Sequence, residues 1–262
     1  MRRQVVAAQS QTMNRTLAVV YGTLSYTLFL VVFLYLNGFV GGLFVPRSVD
    51  DAVVAPSALA VLVNVALVML FAVQHSVMAR PAFKKWWTRT VPAPIERSTY
   101  VLVASLVLVV MFWQWRELPT VVWDVTWQPA RIVLWALFWL GWAIVLASTF
   151  MINHFELFGL KQVFEAWRSR PAVETGFQAT LLYRVVRHPL MLGFLIAFWA
   201  TPTMTAGHLL FAVAMTGYIL FALQLEERDL IAALGTHYAE YRQRVPMLIP
   251  RPRKRDTDIM MR

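Results

Sequence analysis

The side chains able to do chemistry gather in the second half of the chain, and no single set of them is unusual. Arg187-His188-Pro189 places a guanidinium and an imidazole directly ahead of a proline. Proline lacks an N–H and biases the preceding residue away from helix, so a helix is expected to open at Pro189. Arg187 and His188 then stand at a helix N-terminus, where free N–H groups and the dipole favour an anion. Arg187 could equally snorkel to lipid phosphate. Glu226-Glu227 supplies adjacent carboxylates, and Glu226 shares a helix face with Asp229 and Leu230 by i, i+3, i+4 spacing. Those acids could be no more than a salt-bridged cap. Tyr238 and Tyr241 follow, while Tyr183 and the group Asn153, His154 and Glu156 lie upstream. A carboxylate, a guanidinium, an imidazole and flat rings held together would suit a zwitterionic ligand with a flat heterocycle, and the combination is far more specific than any part.

Such a site needs residues 187 and 227 brought to one place, and the charge pattern says how. Of the 262 residues 59% are hydrophobic and 15% charged, well under the roughly 25% of a soluble domain. Disorder is excluded by the same figures. The chain has no cysteine, which excludes a disulfide scaffold, thiolate metal ligation and a Cys nucleophile. Asp, Glu, Lys and Arg are absent from five long intervals. The first four each supply about one crossing of a bilayer: Thr16–Leu36, Ser57–Met78, Ser98–Trp115 and Ile132–Phe150. The Met111–Trp115 end of the third reads as an interfacial aromatic anchor. The fifth, His188–Leu225, is too long for one helix and is broken by Thr201-Pro202-Thr203-Met204-Thr205-Ala206-Gly207-His208. It reads as a helical hairpin with a short first arm. That hairpin returns Glu226 and Glu227 to the membrane face bearing Arg187 and His188.

The expected fold is therefore all-α: a polytopic membrane helix bundle of five to six transmembrane segments, the last two forming a hairpin, with a cytoplasmic cofactor-binding C-terminal region. It reads as one domain, 1–262, with a four-helix membrane part (1–150) and a catalytic part (151–262) that holds hairpin 189–225 and the tail. Lys and Arg number 3, 1, 5, 2 and 5 in the successive flanks and loops and 8 in the tail, so 21 of the 24 lie on one side. The positive-inside rule makes that side cytoplasmic, with both termini. The net charge of +10 is thus a topology signal rather than a nucleic-acid footprint, and the Arg251–Arg255 run is expected to touch anionic headgroups. Arg2-Arg3 precedes an apolar run too long for a signal-peptide core, so the first helix is expected to be retained.

Polar residues within the spans are costly and have to be accounted for. Asn64 is expected to make interhelical hydrogen bonds, and Gln74 and His75 to sit at the interface, with a substrate-pocket role for His75 as the alternative. His208, in the hairpin turn, is expected to be solvated. If residues 153–162 form one helix, His154, Phe158 and Lys161 fall near one face, either as an amphipathic interfacial segment or as part of a site.

At these residues the chain resembles the isoprenylcysteine carboxyl methyltransferase superfamily of membrane methyltransferases. There an Arg-His-Pro opening a hairpin, a Glu-Glu after it, and a Tyr-x-x-Tyr…Val-Pro…Pro tail form the S-adenosylmethionine site. The matching positions are Arg187-His188-Pro189, Glu226-Glu227, Tyr238 and Tyr241, Val245-Pro246 and Pro250. A narrower resemblance, carried by His154–Gln162 and by Tyr183–Phe194, is to the bacterial methanethiol S-methyltransferases, which make dimethyl sulfide. Met191 stands where the wider superfamily commonly has Tyr, which argues against a prenylcysteine acceptor. The resemblance implies S-adenosyl-L-methionine held by Arg187, His188, Pro189, Leu190, Gly193, Glu226, Glu227, Tyr238 and Tyr241. It implies an acceptor end lined by Asn153, His154 and Tyr183 with Arg187 alongside, a small volatile thiol as partner, and no metal.

Methyl transfer from a sulfonium is an in-line displacement, so the protein mainly aligns donor and acceptor and excludes water. The thiolate is the better nucleophile, and a cationic or hydrogen-bonding group near it raises its share. A lipid-like or protein carboxylate acceptor and a sterol-type reductase remain as rival enzymes. A transporter or accessory subunit is the non-enzymatic alternative, although no Asp, Glu, Lys or Arg falls within a predicted span.

Overall fold

The computed structural model describes residues 14–170 and 180–250; the N-terminal Arg2-Arg3 and the Arg251–Arg255 run lie outside them. Ten α-helices are described, five of them long and apolar enough to cross a membrane: α1 (Arg15–Gly41), α2 (Ser57–Ala79), α4 (Ala93–Gln114), α5 (Gln128–Ile152) and α9 (Ala206–Leu234). Their ends follow from local chemistry. The Asn14 side chain accepts from Thr16 N at 2.9 Å to cap α1, which closes on Gly42 in the left-handed conformation. Proline lies in the first turn of α4 and of α5, where its missing N–H costs nothing. Short helices occupy the loops: α3 (Pro81–Trp87), α6 (His154–Leu157), α7 (Leu160–Trp167) and α10 (Thr236–Arg244).

The hairpin is present, with one arm much shorter than the other. Helix α8 (Pro189–Trp199) has 11 residues and a length of about 16 Å, roughly half a hydrocarbon core. Its far end continues into an extended stretch that includes β2 (Thr203–Thr205), antiparallel to β1 (Val121–Asp124) with Trp123 opposite Met204. This two-stranded patch was not foreseen, because its strands are short and lie in the loops. It ties the hairpin turn to the α4–α5 connection, reinforced by Gly207 N donating to Leu118 O at 3.1 Å. Helix α8 lies against α5 at very close range. A Cβ on Gly193 would meet Gly141 O at 2.7 Å, and one on Gly141 would meet Ala197 N and Gly193 O at the same distance. Small residues let membrane helices approach this closely.

The core is aromatic. Phe39, Trp115, Phe198 and Phe211 meet edge to face at 5.1–6.0 Å, with Phe138 and Trp142 beside them. Met111, Phe112 and Trp115 are buried here, and Trp115 Nε1 donates to Val49 O. The expected interfacial anchor is therefore core, and only Trp113 of that stretch faces outward. His208 is also buried, not solvated: Nε2 lies 3.0 Å from Phe198 O and Nδ1 3.5 Å from Asp50. Asn64 satisfies loop backbone rather than another helix, bonding both the N and the O of Arg116 at 2.8 Å. Residues 153–162 are not one helix. Gly159 breaks them with φ +87, and a Cβ there would fall 2.7 Å from Ser98 N.

Candidate active site

Pro189 opens α8 and leaves His188 as its N-cap in a non-helical conformation, so the residues before it run extended beside the tail. Arg187 N donates to Pro246 O at 2.9 Å and His188 N to Met247 O at 3.2 Å. The tail therefore pairs, backbone to backbone, with the strip that leads into α8. The Arg187 side chain fastens the same junction, its Nη1 donating to Arg242 O at 2.9 Å and Val245 O at 2.6 Å, and its Nε to Glu227 Oε1 at 2.7 Å. His188 Nε2 lies 3.1 Å from that oxygen and Arg242 Nε 3.3 Å from Glu227 Oε2. Facing a carboxylate, His188 Nε2 is the protonated nitrogen. Side-chain exposures of 7% for Arg187 and 3% for Glu227 make this a buried ion pair, not a guanidinium snorkelling to lipid.

Three tyrosines continue the site. Tyr238 is buried and its ring lies 5.7 Å from that of Tyr241, whose hydroxyl donates to Tyr183 O at 2.6 Å. Burial pushes Tyr241 up to about 12 and raises Tyr183 and Tyr238 as well, with the nearby Glu226 carboxylate adding to the last two. All three hydroxyls stay protonated at neutral pH, and that of Tyr241 serves as a donor. Glu226 is half-buried, and no hydrogen bond or ion pair to its side chain is found among the described residues. The structure thus brings together Tyr183, Arg187, His188, Glu227, Tyr238 and Tyr241, with Pro189 and Leu190 starting the helix between them and Glu226 beside them. Gly193 faces α5, and its close approach there accounts for the glycine.

Asn153 and His154 form a second, separate cluster. Asn153 caps α6, accepting from Glu156 N and donating to Glu156 Oε2 at 3.0 Å, and Lys161 pairs with that same oxygen. Thr149 Oγ1 donates to Leu146 O, so it must accept from His154 Nδ1 at 2.8 Å. Nε2 is then the acceptor for the Tyr26 hydroxyl at 2.7 Å. The imidazole stacks on Phe150 at 4.3 Å and meets Phe155 and Phe158 edge-on. Burial lowers its pKa, so it is neutral, with both nitrogens engaged. Among the described residues no hydrogen bond or ion pair joins Asn153 or His154 to Arg187, His188 or Glu227.

His75, expected at the interface or in a substrate pocket, has its Nε2 2.8 Å from the Tyr100 hydroxyl, its ring stacked on Phe71 at 5.0 Å and Tyr218 edge-on to it. Tyr100 and Tyr218 pass unnoticed in a plot of charges because they count as apolar. Among the described residues no group of three or more His, Asp or Glu could hold a metal.

Five helices long and apolar enough to cross a membrane and a half-length hairpin arm, closed by a buried Arg–His–Glu junction, define an integral membrane protein. A model of the NnrU protein family matches residues 63–240, and the chain belongs to that family. Among its curated relatives, "Methanethiol S-methyltransferase" of Mycobacterium tuberculosis is 64% identical over 242 residues, 92% of this chain and 99% of the relative. "Methanethiol S-methyltransferase 2" of Bradyrhizobium diazoefficiens is 57% identical over 90% of this chain and 91% of the relative. "Nurim" of Rattus norvegicus is 30% identical over 64% of this chain and 66% of its own length. No solved structure matches.

Proposed function

We propose that this protein methylates a small thiol, methanethiol to dimethyl sulfide, using S-adenosyl-L-methionine at the basic end of the bundle, which faces the cytoplasm across a bacterial inner membrane. The relatives named for that reaction at 64% and 57% identity support the chemistry. The observation that carries the site is Glu226: a half-buried carboxylate without a partner among the described residues, next in sequence to one that pairs with Arg187, His188 and Arg242.

The residues present fit the cofactor. Glu226 offers an acceptor for an α-ammonium or ribose hydroxyls. The first turn of α8 has no side-chain cap, so the N–H groups of Leu190 and Met191 are oriented for a carboxylate. Tyr238 and Tyr241 supply ring surface and neutral hydroxyl donors for a heterocycle. Arg187, His188 and Glu227 act one step back, holding the tail and the start of α8 in place. When bound, the cofactor supplies an electrophilic methyl group on a sulfonium sulfur. The protein's part is to align a thiol with that methyl and exclude water, for which effective molarities of 10⁵ M or more are on record in well-oriented systems. Asn153 and His154, in their own cluster, are assigned to holding α5, α6 and α1 together.

The direct test supplies purified protein with methyl-labelled cofactor and methanethiol and assays the head-space for labelled dimethyl sulfide. Label in the volatile product supports the reading. Its absence, with cofactor binding intact by calorimetry, moves the assignment to a larger acceptor. Thermal protection by NADPH in place of S-adenosylmethionine would favour the reductase instead.

A further inference from the structure

We propose that His75 accepts the thiol proton; the assignment rests on the thiol methyltransferase reading and adds a residue to it. His75 lies on the inward face of α2, one residue before Ser76, and its Nδ1 is buried without a hydrogen-bond partner. A buried, unpartnered ring nitrogen is costly unless something else comes to it. The opposite nitrogen is held: the Tyr100 hydroxyl stands 2.8 Å from Nε2 and 3.5 Å from the His75 carbonyl oxygen. With that hydroxyl hydrogen turned to the carbonyl, Nε2–H donates to Tyr100 and Nδ1 is left as a bare acceptor. Phe71, stacked on the ring at 5.0 Å, fixes its plane.

The surroundings suit a small apolar acid. A groove of about 570 Å³ runs between α2 and α9, lined by Met69, Ala72, Phe221, Tyr218 and Ser76, the residue after His75, and reaching Arg80. Met69 and Phe221 are largely exposed on membrane-spanning helices, so the groove is open to lipid. Tyr218, on its wall, is 6.5 Å from the His75 ring and 5.8 Å from Phe71. Gly217 adds no side chain, and a Cβ there would meet nothing within 4 Å. The charged and titratable groups facing the cluster are Tyr100 and Arg97 from α4, Tyr218 and Glu226 from α9, and Arg80 at the end of α2. Glu226, the proposed cofactor contact, is thus shared between this cluster and the Tyr183–Tyr238 side.

In the step, the S–H bond breaks, its proton passes to Nδ1 and its electron pair stays on sulfur. That sulfur forms the new S–C bond as the carbon–sulfonium bond breaks, leaving its pair on the departing thioether. The imidazolium then returns its proton to water. Removing a general base of this kind typically costs 10²- to 10⁴-fold.

His75→Gln is the test, read with two acceptors and by calorimetry with S-adenosylhomocysteine. The expected result is unchanged nucleoside affinity, at least 100-fold loss on methanethiol, a rate that climbs with the thiol's own ionisation, and near-normal turnover of a selenol already ionised at neutral pH. Equal loss on both acceptors, or a wild-type pH profile on the thiol, overturns it. Should the glutamine variant lose nucleoside binding, Tyr100→Phe decides: the proposal requires its pH profile on the thiol to shift, and an unshifted profile overturns it. A wild-type protein that methylates no thiol at all would instead defeat the underlying reading.

Discussion

Glu226 and Glu227 are neighbours on α9, yet their carboxylates serve different parts of the molecule. Successive side chains on a helix diverge by about 100°. Glu227 turns to α8 and the tail, where Arg187, His188 and Arg242 surround it. Glu226 sits within electrostatic reach of Tyr100, Tyr183, Tyr218 and Tyr238 and has no ion pair among the described residues. One acid closes the fold, and the other is the one we propose for the cofactor.

Substituting the two acids should therefore give different losses. Glu227→Ala strands the Arg187 guanidinium in a buried place, which costs about 3–5 kcal/mol where one partner of a buried pair is removed. A large drop in melting temperature in detergent is expected, with the tail released to protease near Val245–Met247. Glu226→Gln should melt with the wild type but bind S-adenosylhomocysteine at least tenfold more weakly in calorimetry. Matching melting curves for the two variants would contradict this division.

Gly193 offers a test of the α5–α8 contact that keeps the chemistry out of view. Its Cβ would approach Gly141 O to 2.7 Å and Val145 N to 2.9 Å, both backbone atoms that cannot swing away. Gly193→Ala should cost about 1–3 kcal/mol by overpacking, whereas Gly217→Ala, in open space, should cost under about 1 kcal/mol and could gain from helix propensity. Thermal melts of the pair give the comparison.

The spans, the hairpin and the junction of Arg187 with Glu227 were legible because charge-free intervals of bilayer length admit few arrangements, and because a break at Thr201–His208 has to return the chain. The short first arm was legible too; what was not is why α8 ends at Trp199, where the chain turns extended to pair with β1, a long-range event that periodicity does not carry. His208 was misplaced because its partners are a main-chain carbonyl and an aspartate distant in sequence, and the partners of His75 are tyrosines; neither pairing can be read from the positions of charges along the chain. The bonds of Arg187 to the carbonyls of Arg242 and Val245 were not legible either, since those carbonyls belong to a segment whose path only the fold defines.

His154 should make the stability of the α1–α5–α6 corner depend on pH. Its pKa is lowered by burial, and both ring nitrogens are committed to hydroxyls in the neutral form. A group whose folded pKa is depressed below the unfolded one binds protons more readily when unfolded, so acid favours unfolding. The stabilisation is fully present above the ordinary imidazole value of about 6.5 and is lost as pH falls below it toward the folded value. The melting temperature of the wild type should fall between about pH 7 and pH 5, and His154→Gln should flatten that part of the curve while melting lower at pH 7. Tyr26→Phe removes the donor to Nε2 and leaves that nitrogen buried with one partner fewer, at a cost of about 1–3 kcal/mol. It should ease protonation of the ring, narrow the gap between folded and unfolded pKa, and so shrink the acid-dependent fall in melting temperature. An acid limb identical in wild type and His154→Gln would show that the imidazole is not the titrating group.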